Sequence, residues 1–399
     1  MLTYLTSGES HGPQLTAVID GLPAGLKINV EAVNHQLARR QKGYGRGGRM
    51  RIEKDQIELV AGVRSGITMG GPVTIVVQNR DWKNWSQIMD PVKPIGEELT
   101  DKQHKLAYDT HRPRPGHADL AGGIKWHHHD MRNVLERSSA RETAARVALG
   151  AVARQLLEHF NVKFGSHVVG IGEVTLPPDF ERPGLEKMAE LTEDSDVRCI
   201  DADTEQRMIA AIKAALRDKD SIGGVVEIVV QGLPVGLGGF SQWYHRLDGR
   251  LAGAMMAIHS VKGVEIGLGF RAAETRGSEM HDQIFFDPFG DPARKKFHRE
   301  TNNAGGLEGG ITNGEDVVVR VAAKPISTLN RPLKTVDVVT KEAGEAIVER
   351  TDSCIVPALA VVTEAVAALV LAEAFCEKFG ADNLAETERN YHSFLATEY

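Results

Sequence analysis

Four short stretches concentrate the residue types that bind anions and move protons. Arg39 to Arg51 reads RRQKGYGRGGRMR, with six Lys or Arg in thirteen residues and no acid. THRPRPGHAD (Thr110–Asp119) puts His111, Arg112, Arg114 and His117 on a segment that its prolines stiffen. LERSSARET (Leu135–Thr143) places Arg137, Ser138, Ser139 and Arg141 where a helix is predicted to begin, and N–H groups and hydroxyls there favour an anion. ERTDSC (Glu349–Cys354) adds Arg350 and Asp352 at a turn before an apolar run. Arginine forks grip carboxylate or phosphate in pairs of hydrogen bonds. Histidines beside them could carry protons.

Three readings compete for the basic loop. Gly43, Gly45 and Gly48 formally match G-x-G-x-x-G, but a dinucleotide turn needs a strand before it and a helix after it. Here a predicted helix precedes the glycines. An RGG-type RNA arm fits the composition, yet there is one unit and little interleaved aromatic character beyond Tyr44. The third reading is a pocket in which several arginine-bearing turns converge on one small polyanion. Arg350 and Asp352 taken alone would more often form a surface ion pair.

The whole chain favours the third reading. It has 399 residues, Lys plus Arg of 47 against Asp plus Glu of 54, and a net charge of −7, so the basic loop is a local feature. A protein that coats nucleic acid is usually basic over its domain. Hydrophobic content of 42% and charged content of 25% describe a soluble globular protein with a large core. Three widely separated cysteines argue against a disulfide framework and a thiolate zinc site, and point to a reducing cytoplasm. The N-terminus carries no signal-peptide pattern. The WHHHD run (Trp126–Asp130) is no metal site by itself, because consecutive side chains point in different directions. H-E-x-x-H, P-loop and G-x-S-x-G motifs do not occur.

The elements that must position these clusters alternate between strand and helix. Strands are predicted over Leu15–Pro23, Gly71–Asn79 and Gly223–Pro234, in the last of which the strand runs into a turn. A helix is predicted over Asn29–Arg40 with Asn29 as its cap. A long helix is predicted over Ser139–Phe160, with Ser139 and Glu142 at capping-box spacing. Another is predicted over His245–Val261. Ile355–Phe375 is apolar enough to imitate a membrane span, but Glu364 and Glu373 inside it indicate a buried helix of a large core. Glu181–Asp220 is acidic and then helical, which suggests a peripheral insertion around 180–220. AVIDGLPAGL (Ala17–Leu26) echoes IVVQGLPVGL (Ile228–Leu237), and GITMGGPVTIVV (Gly66–Val77) echoes GITNGEDVVVRV (Gly310–Val321). The echoes keep the same order, which predicts two similar halves around one core, a single domain over 1–399.

Read together and in order, GESHG (Gly8–Gly12), RRQKGYGRGGRM, RPGHAD, RSSARET, VKGVEIG (Val261–Gly267), NNAGGLEGGITNG (Asn302–Gly314), KPIST (Lys324–Thr328) and RTDSC resemble the chorismate synthase family, in its longer form found in many Gram-positive bacteria. The resemblance implies an α/β (α+β) fold, a βαβ sandwich of two pseudo-repeated halves assembled as a homotetramer. It implies a 1,4-anti elimination of phosphate from 5-enolpyruvylshikimate 3-phosphate, with reduced FMN and no net redox change. It assigns His11 to protonation of the leaving phosphate, His117 to the reduced flavin and Asp352 to the proton at flavin N5. It assigns Arg40, Arg46, Arg49, Arg114 and Arg141 to substrate anions, with Arg40 and Arg46 also associated with NADP. It gives the flavin Arg137, Ser138, Ser139, His259, Ser260, Gly309, Lys324, Pro325, Ile326, Ser327, Thr328 and Arg350. NADPH as reductant and a separate flavin reductase are its further implications. The chain departs from the usual pattern at Ile326, Thr328, His259 and Ser260. An RNA-binding protein and an ordinary flavin oxidoreductase are the alternatives.

Overall fold

The computed structural model describes residues 2–47, 54–96, 99–108, 110–177, 180–349 and 351–399, without the side chains of Lys102, Lys105 and Tyr108. The first half runs β1 (Thr3–Ser7), β2 (Gln14–Asp20), α1 (Val30–Gln41), β3 (Ile57–Ala61) and β4 (Val73–Gln78). After an excursion carrying α2 (Asp119–Trp126) and α3 (Arg132–Ser138) it ends in α4 (Thr143–His159). The second half runs β5 (Lys163–Ile171), the short β6 (Val174–Thr175), α5 (Leu185–Asp194), α6 (Ala202–Arg217), β7 (Gly224–Gln231), α7 (Leu247–Met256), β8 (Val261–Ile266), β9 (Val317–Ala323) and α8 (Val356–Phe379). α9 (Leu384–Ala396) closes the described chain.

Among the described residues the two larger antiparallel sheets have the orders β1-β2-β4-β3 and β8-β9-β7-β5-β6. Without the short β6 they are the same topology, with β5, β7, β8 and β9 standing for β1, β2, β3 and β4. The predicted repeat is therefore a repeat of architecture, and it extends to single hydrogen bonds. Thr68 Oγ1 donates to the Pro23 carbonyl at 2.6 Å and accepts from Leu26 N–H at 2.9 Å. Thr312 Oγ1 donates to the Pro234 carbonyl at 2.7 Å and accepts from Leu237 N–H at 2.8 Å. The same G-L-P turn is pinned by the same threonine of G-I-T in each half.

The long helices α4 and α8 lie between the sheets. α4 packs on β2 and β4, α8 packs on β5 and β7, and the two helices pack on each other. Gly150 lets them touch, since a Cβ there would fall 2.3 Å from the Ala365 carbonyl oxygen. α8 is the segment that imitates a membrane span, and it is buried almost all round. Asn29 caps α1 as predicted, accepting from Ala32 N–H at 3.1 Å. The block at 180–220 becomes α5 and α6, which cover β5 with Met188, Met208 and Ile212 fully buried.

Two predicted helices are corrected. The helix expected from Ser139 starts at Thr143, because Ser139 instead caps a separate 3-10 turn, Ala140–Glu142. Glu142 does not close a capping box; it accepts from Thr6 Oγ1 at 2.7 Å and pairs with Arg146 at 2.9 Å. The helix expected over His245–Val261 is confined to Leu247–Met256, since Val261 already pairs with Ala323 in β8. Tertiary partners outcompeted the local signal in both places.

On the face of the second sheet away from the helix layer, Glu227 lies between His167 (3.2 Å) and Arg320 (2.8 Å). Burial opposes its ionisation, but the bond and charge of His167 and the charges of Arg320 and Arg182 outweigh that and hold its pKa down to about 2. A depressed folded-state pKa stabilises above the ordinary carboxylate value and is lost on acidification through about 2. Glu227→Gln is therefore expected to cost about 3 kcal/mol at pH 7, and the deficit should shrink steadily below about pH 4. Urea unfolding of both proteins at pH 7 and pH 3 measures it; a deficit independent of pH would refute this electrostatic account.

Candidate active site

Because the two halves share a topology, their loops meet at one place. The β1–β2 loop brings His11, the end of α1 brings Arg40, the segment after it brings Arg46 and Gly47, and the segment after α7 brings His259 and Ser260. The β4–α4 excursion brings Arg114, His117, Ser138, Ser139 and Arg141. The β9–α8 segment brings Lys324, Ile326, Ser327, Thr328 and Asp352. All of them line one cavity of about 910 Å³. That is the upper part of the usual range for small-molecule sites, large enough for a flavin and a compact substrate together.

The basic loop is a packed wall of this cavity, not an arm. The C-terminus of α1 splits its two arginines. Arg39 turns inward to Glu364 and Glu193, whereas Arg40 lies along the cavity, giving Nε–H to Thr143 Oγ1 (2.9 Å) and Nη2–H to the Ala140 carbonyl (3.1 Å). Gly45 has a φ of +87° and its carbonyl accepts from Ser353 N–H at 2.8 Å. Arg46 Nη1 meets Asp352 Oδ2 at 2.9 Å, and Gly47 N–H donates to Asp352 Oδ1 at 2.6 Å. A Cβ at Gly47 would lie 2.6 Å from the Thr351 carbonyl oxygen. Gly47→Ala is thus expected to push the loop off Asp352 and to raise the KM of an anionic substrate about tenfold, or about 1.4 kcal/mol. Steady-state kinetics beside a melting curve checks this; an unchanged KM would refute it.

Arg141 and Arg114 are each held by a buried acid. Arg141 Nη1 reaches both oxygens of Asp55 at 2.6 and 2.7 Å. Arg114 gives its N–H, Nε–H and Nη2–H to Asp119 at 3.0, 2.8 and 3.1 Å, and Nη1–H to Thr328 Oγ1 at 2.8 Å. Arg40, Arg46 and Arg141 crowd together. Burial first, with Arg46 and Arg141 adding to it, pushes the Arg40 guanidinium down to about 10 despite Asp55. It remains a cation at neutral pH, and it is the kind of strained cation that a bound anion relieves.

Both histidines are backed by carboxylates. His11 Nδ1 lies 2.8 Å from Glu136 Oε1, its ring stacks on Trp85 with centroids 3.8 Å apart, and its N–H donates to Glu136 Oε2 at 2.7 Å. His117 Nδ1 lies 2.6 Å from Asp119 Oδ1, so one buried carboxylate fixes both His117 and Arg114. Bonds to His117 and Arg114 overcome the cost of burial and hold Asp119 far below the usual carboxylate range. His259 is pushed down, mainly by burial and against the pull of Glu142. Among the described residues its Nδ1 has no hydrogen-bond partner, and it stands 3.9 Å from Glu142.

Other assigned residues fall differently. Arg137 is directed to the Thr6 and Gly8 carbonyls at 2.7 and 3.2 Å rather than into the cavity. Gly309 is exposed in the hairpin of Leu307–Glu308 with Ile311–Thr312, away from the cavity lining. Pro325 sits between lining residues without lining itself. Arg49 and Arg350 lie outside the described residues. Asp55, Glu136 and Trp85 went unassigned in the sequence. Glu136 stood inside a singled-out motif, but no local signal separates it from a solvated helix carboxylate.

The cavity suits a flavin by its donor set and its walls. Among the described residues His259 Nδ1 is buried without a hydrogen-bond partner and Arg40 Nη1 has only Asp55 Oδ2 at 3.5 Å, so polar ligand atoms would satisfy them. Ile258, Ile326, Leu135, Ile355 and Leu359 supply apolar surface for a ring system. Ser260 in this wall adopts a φ of +69°, an uncommon conformation for a residue with a side chain.

Comparison with known proteins is consistent along the chain. The family model described as Chorismate synthase matches residues 2–376. A protein named chorismate synthase from Geobacter sulfurreducens is 54% identical over 399 residues, covering 99% of this chain and 98% of that one. Its namesake from Brevibacillus brevis is 52% identical over 395 residues, covering 99% of each. A crystal structure of chorismate synthase superposes with a TM-score of 0.77 at 39% identity, covering 99% of this chain and 97% of that chain.

Proposed function

The chain belongs to the chorismate synthase family, a family of carbon–oxygen lyases that eliminate phosphate from 5-enolpyruvylshikimate 3-phosphate to give chorismate in the shikimate pathway, and we propose how its residues divide that work. The observation that carries the reading is convergence: Arg40, Arg46, Arg114, Arg141, His11, His117 and Asp352, drawn from four separate segments, line one cavity. The substrate bears two carboxylates and a phosphate, which is why its arginines come from several loops.

The family requires a reduced flavin, and FMN is the form proposed here. When bound, a reduced flavin would supply electron density that favours loss of the allylic phosphate, with no net change of oxidation state. Ser138, Ser139, His259, Ser260, Lys324 and the Ile326–Thr328 segment would hold it. The arginines bind and orient the anionic groups, and Arg40 and Arg46 are also the proposed contacts for NADPH as reductant. His11 donates the proton that accompanies the leaving phosphate. Asp352 accepts the proton that the substrate finally gives up. One C–H and one C–O bond break, one C=C bond forms, and the proton balance closes between these two groups. His117, fixed by Asp119, presents a polar edge to the flavin. A homotetramer in the cytoplasm completes the proposal; three buried cysteines without disulfides are in keeping with a reducing compartment.

The test is anaerobic. Enzyme, reduced FMN and 5-enolpyruvylshikimate 3-phosphate are mixed, and phosphate and chorismate are measured together. Equal amounts of both, without consumption of reducing equivalents, are expected. Phosphate without chorismate, or net NADPH oxidation coupled to turnover, would refute the reading.

A further inference from the structure

Beyond the groups that face the substrate, we propose that Glu136 is the positioning residue of His11, fixing its tautomer and ring plane so that Nε2 is the nitrogen serving the cavity. The inference rests on the reading of His11 as proton donor. Glu136 is buried on α3, and the groups placed around its carboxylate are donors. Oε1 faces His11 Nδ1 at 2.8 Å and Arg132 Nη1 at 3.1 Å, while Oε2 accepts His11 N–H at 2.7 Å. A carboxylate here can only accept, so Nδ1 keeps its proton toward Glu136, and the proton that His11 donates is the one an imidazolium carries on Nε2. Behind it Arg132 is shared with Glu349 at 2.8 Å, so the three groups keep one net negative charge beside the His11 ring. The ring plane is set independently by Trp85, stacked on His11 at an interplanar angle of 23° and itself anchored through Nε1–H to Asp81 Oδ2 at 3.2 Å. Backbone, ring edge and ring face of His11 are thus all constrained, as a proton donor requires to be held at hydrogen-bond reach.

The donor-only surroundings make Glu136→Gln diagnostic. In either orientation the amide turns its NH2 group toward a donor or toward Nδ1. The second case favours the opposite tautomer, a change that costs serine hydrolases heavily when their buried Asp becomes Asn. The experiment uses the full-length enzyme with 15N-labelled histidine, and the His11 signals are identified by their loss in His11→Ala. Expected in Glu136→Gln are loss of the Nδ1–H signature and at least a tenfold fall in kcat, with KM changed less than about twofold. Glu136→Asp should fall between parent and Gln in kcat, and it carries the test should the Gln variant fail to fold. In a His11→Ala background, Glu136→Gln should add less than about twofold, because both changes act through one group. An unaltered tautomer with parental kcat, parental kcat in Glu136→Asp, or losses that multiply in the double variant would each overturn the proposal. Parental kcat in His11→Ala alone would overturn the donor reading beneath it, and the proposal with it.

Discussion

Asp352→Asn should lower the rate of chorismate formation by a factor of about 10² to 10⁴, the usual range for a lost acid–base group, while leaving the fold intact. Asp352 is the carboxylate of the β9–α8 segment that lines the cavity, and two groups of the basic loop hold it: Arg46 Nη1 at 2.9 Å and Gly47 N–H at 2.6 Å. The substitution keeps the size and one acceptor oxygen, so the Gly47 bond can survive. It removes the negative charge opposite a largely buried Arg46 and, on the proposed mechanism, the group that receives the substrate's proton. Binding and chemistry should therefore separate. Flavin and substrate still bind, whereas an anaerobic rapid-quench experiment shows slow appearance of both phosphate and chorismate. Retention of more than about a tenth of the parental rate would remove Asp352 from the proton path. Loss of binding alone would reduce it to an anchor for Arg46.

Glu364→Ala is expected to lower the free energy of unfolding by about 3–5 kcal/mol, the range seen when one partner is removed from a buried ion pair. Glu364 lies in the middle of the apolar α8 and is fully enclosed. It accepts from Arg39 Nη1 and Nη2 at 2.7 and 3.0 Å, from Arg154 Nη1 at 2.8 Å and from Ser166 Oγ at 2.5 Å. One carboxylate thereby ties α1, α4 and β5 to the central helix. Burial opposes its charge, but Arg39, Arg154 and Arg198 overcome that and hold it far below the ordinary carboxylate range. The stabilisation is therefore present at neutral pH and is lost only on strong acidification. Alanine leaves the buried Arg39 and the half-buried Arg154 without this partner. Glutamine does little better, since its NH2 must face one of these donors. Urea denaturation followed by tryptophan fluorescence and circular dichroism measures the change, and a loss below about 1 kcal/mol would refute it. Activity should fall with stability, because Arg39 is the residue before Arg40 and sets where α1 delivers the basic loop.

These two residues mark the division between what is local and what is not. Asn29 as a helix cap, the β-branched run of β4, the G-L-P turns and the G-I-T echoes were legible in the sequence, because capping, strand period and turn chemistry act over a few residues. The acidic balance of the chain and its dispersed arginines were enough to argue for a polyanion pocket, and the ordered motifs carried the family. The sequence also showed that an apolar helix containing Glu364 belonged inside a core. It did not say what that carboxylate would meet. Arg39 and Glu364 are 325 residues apart, and Gly47 and Asp352 are 305 apart. Packing of the helix layer between two sheets brings them together. The same packing sends Arg137 to the Thr6 carbonyl and Arg40 to the cavity, ends the reach of Ser139 in a separate turn, and turns Glu136 from a helix residue into the support of His11. Buried charges must find partners wherever the chain provides them. Local propensity determined the elements, and the partners of each charge were decided only by the tertiary structure.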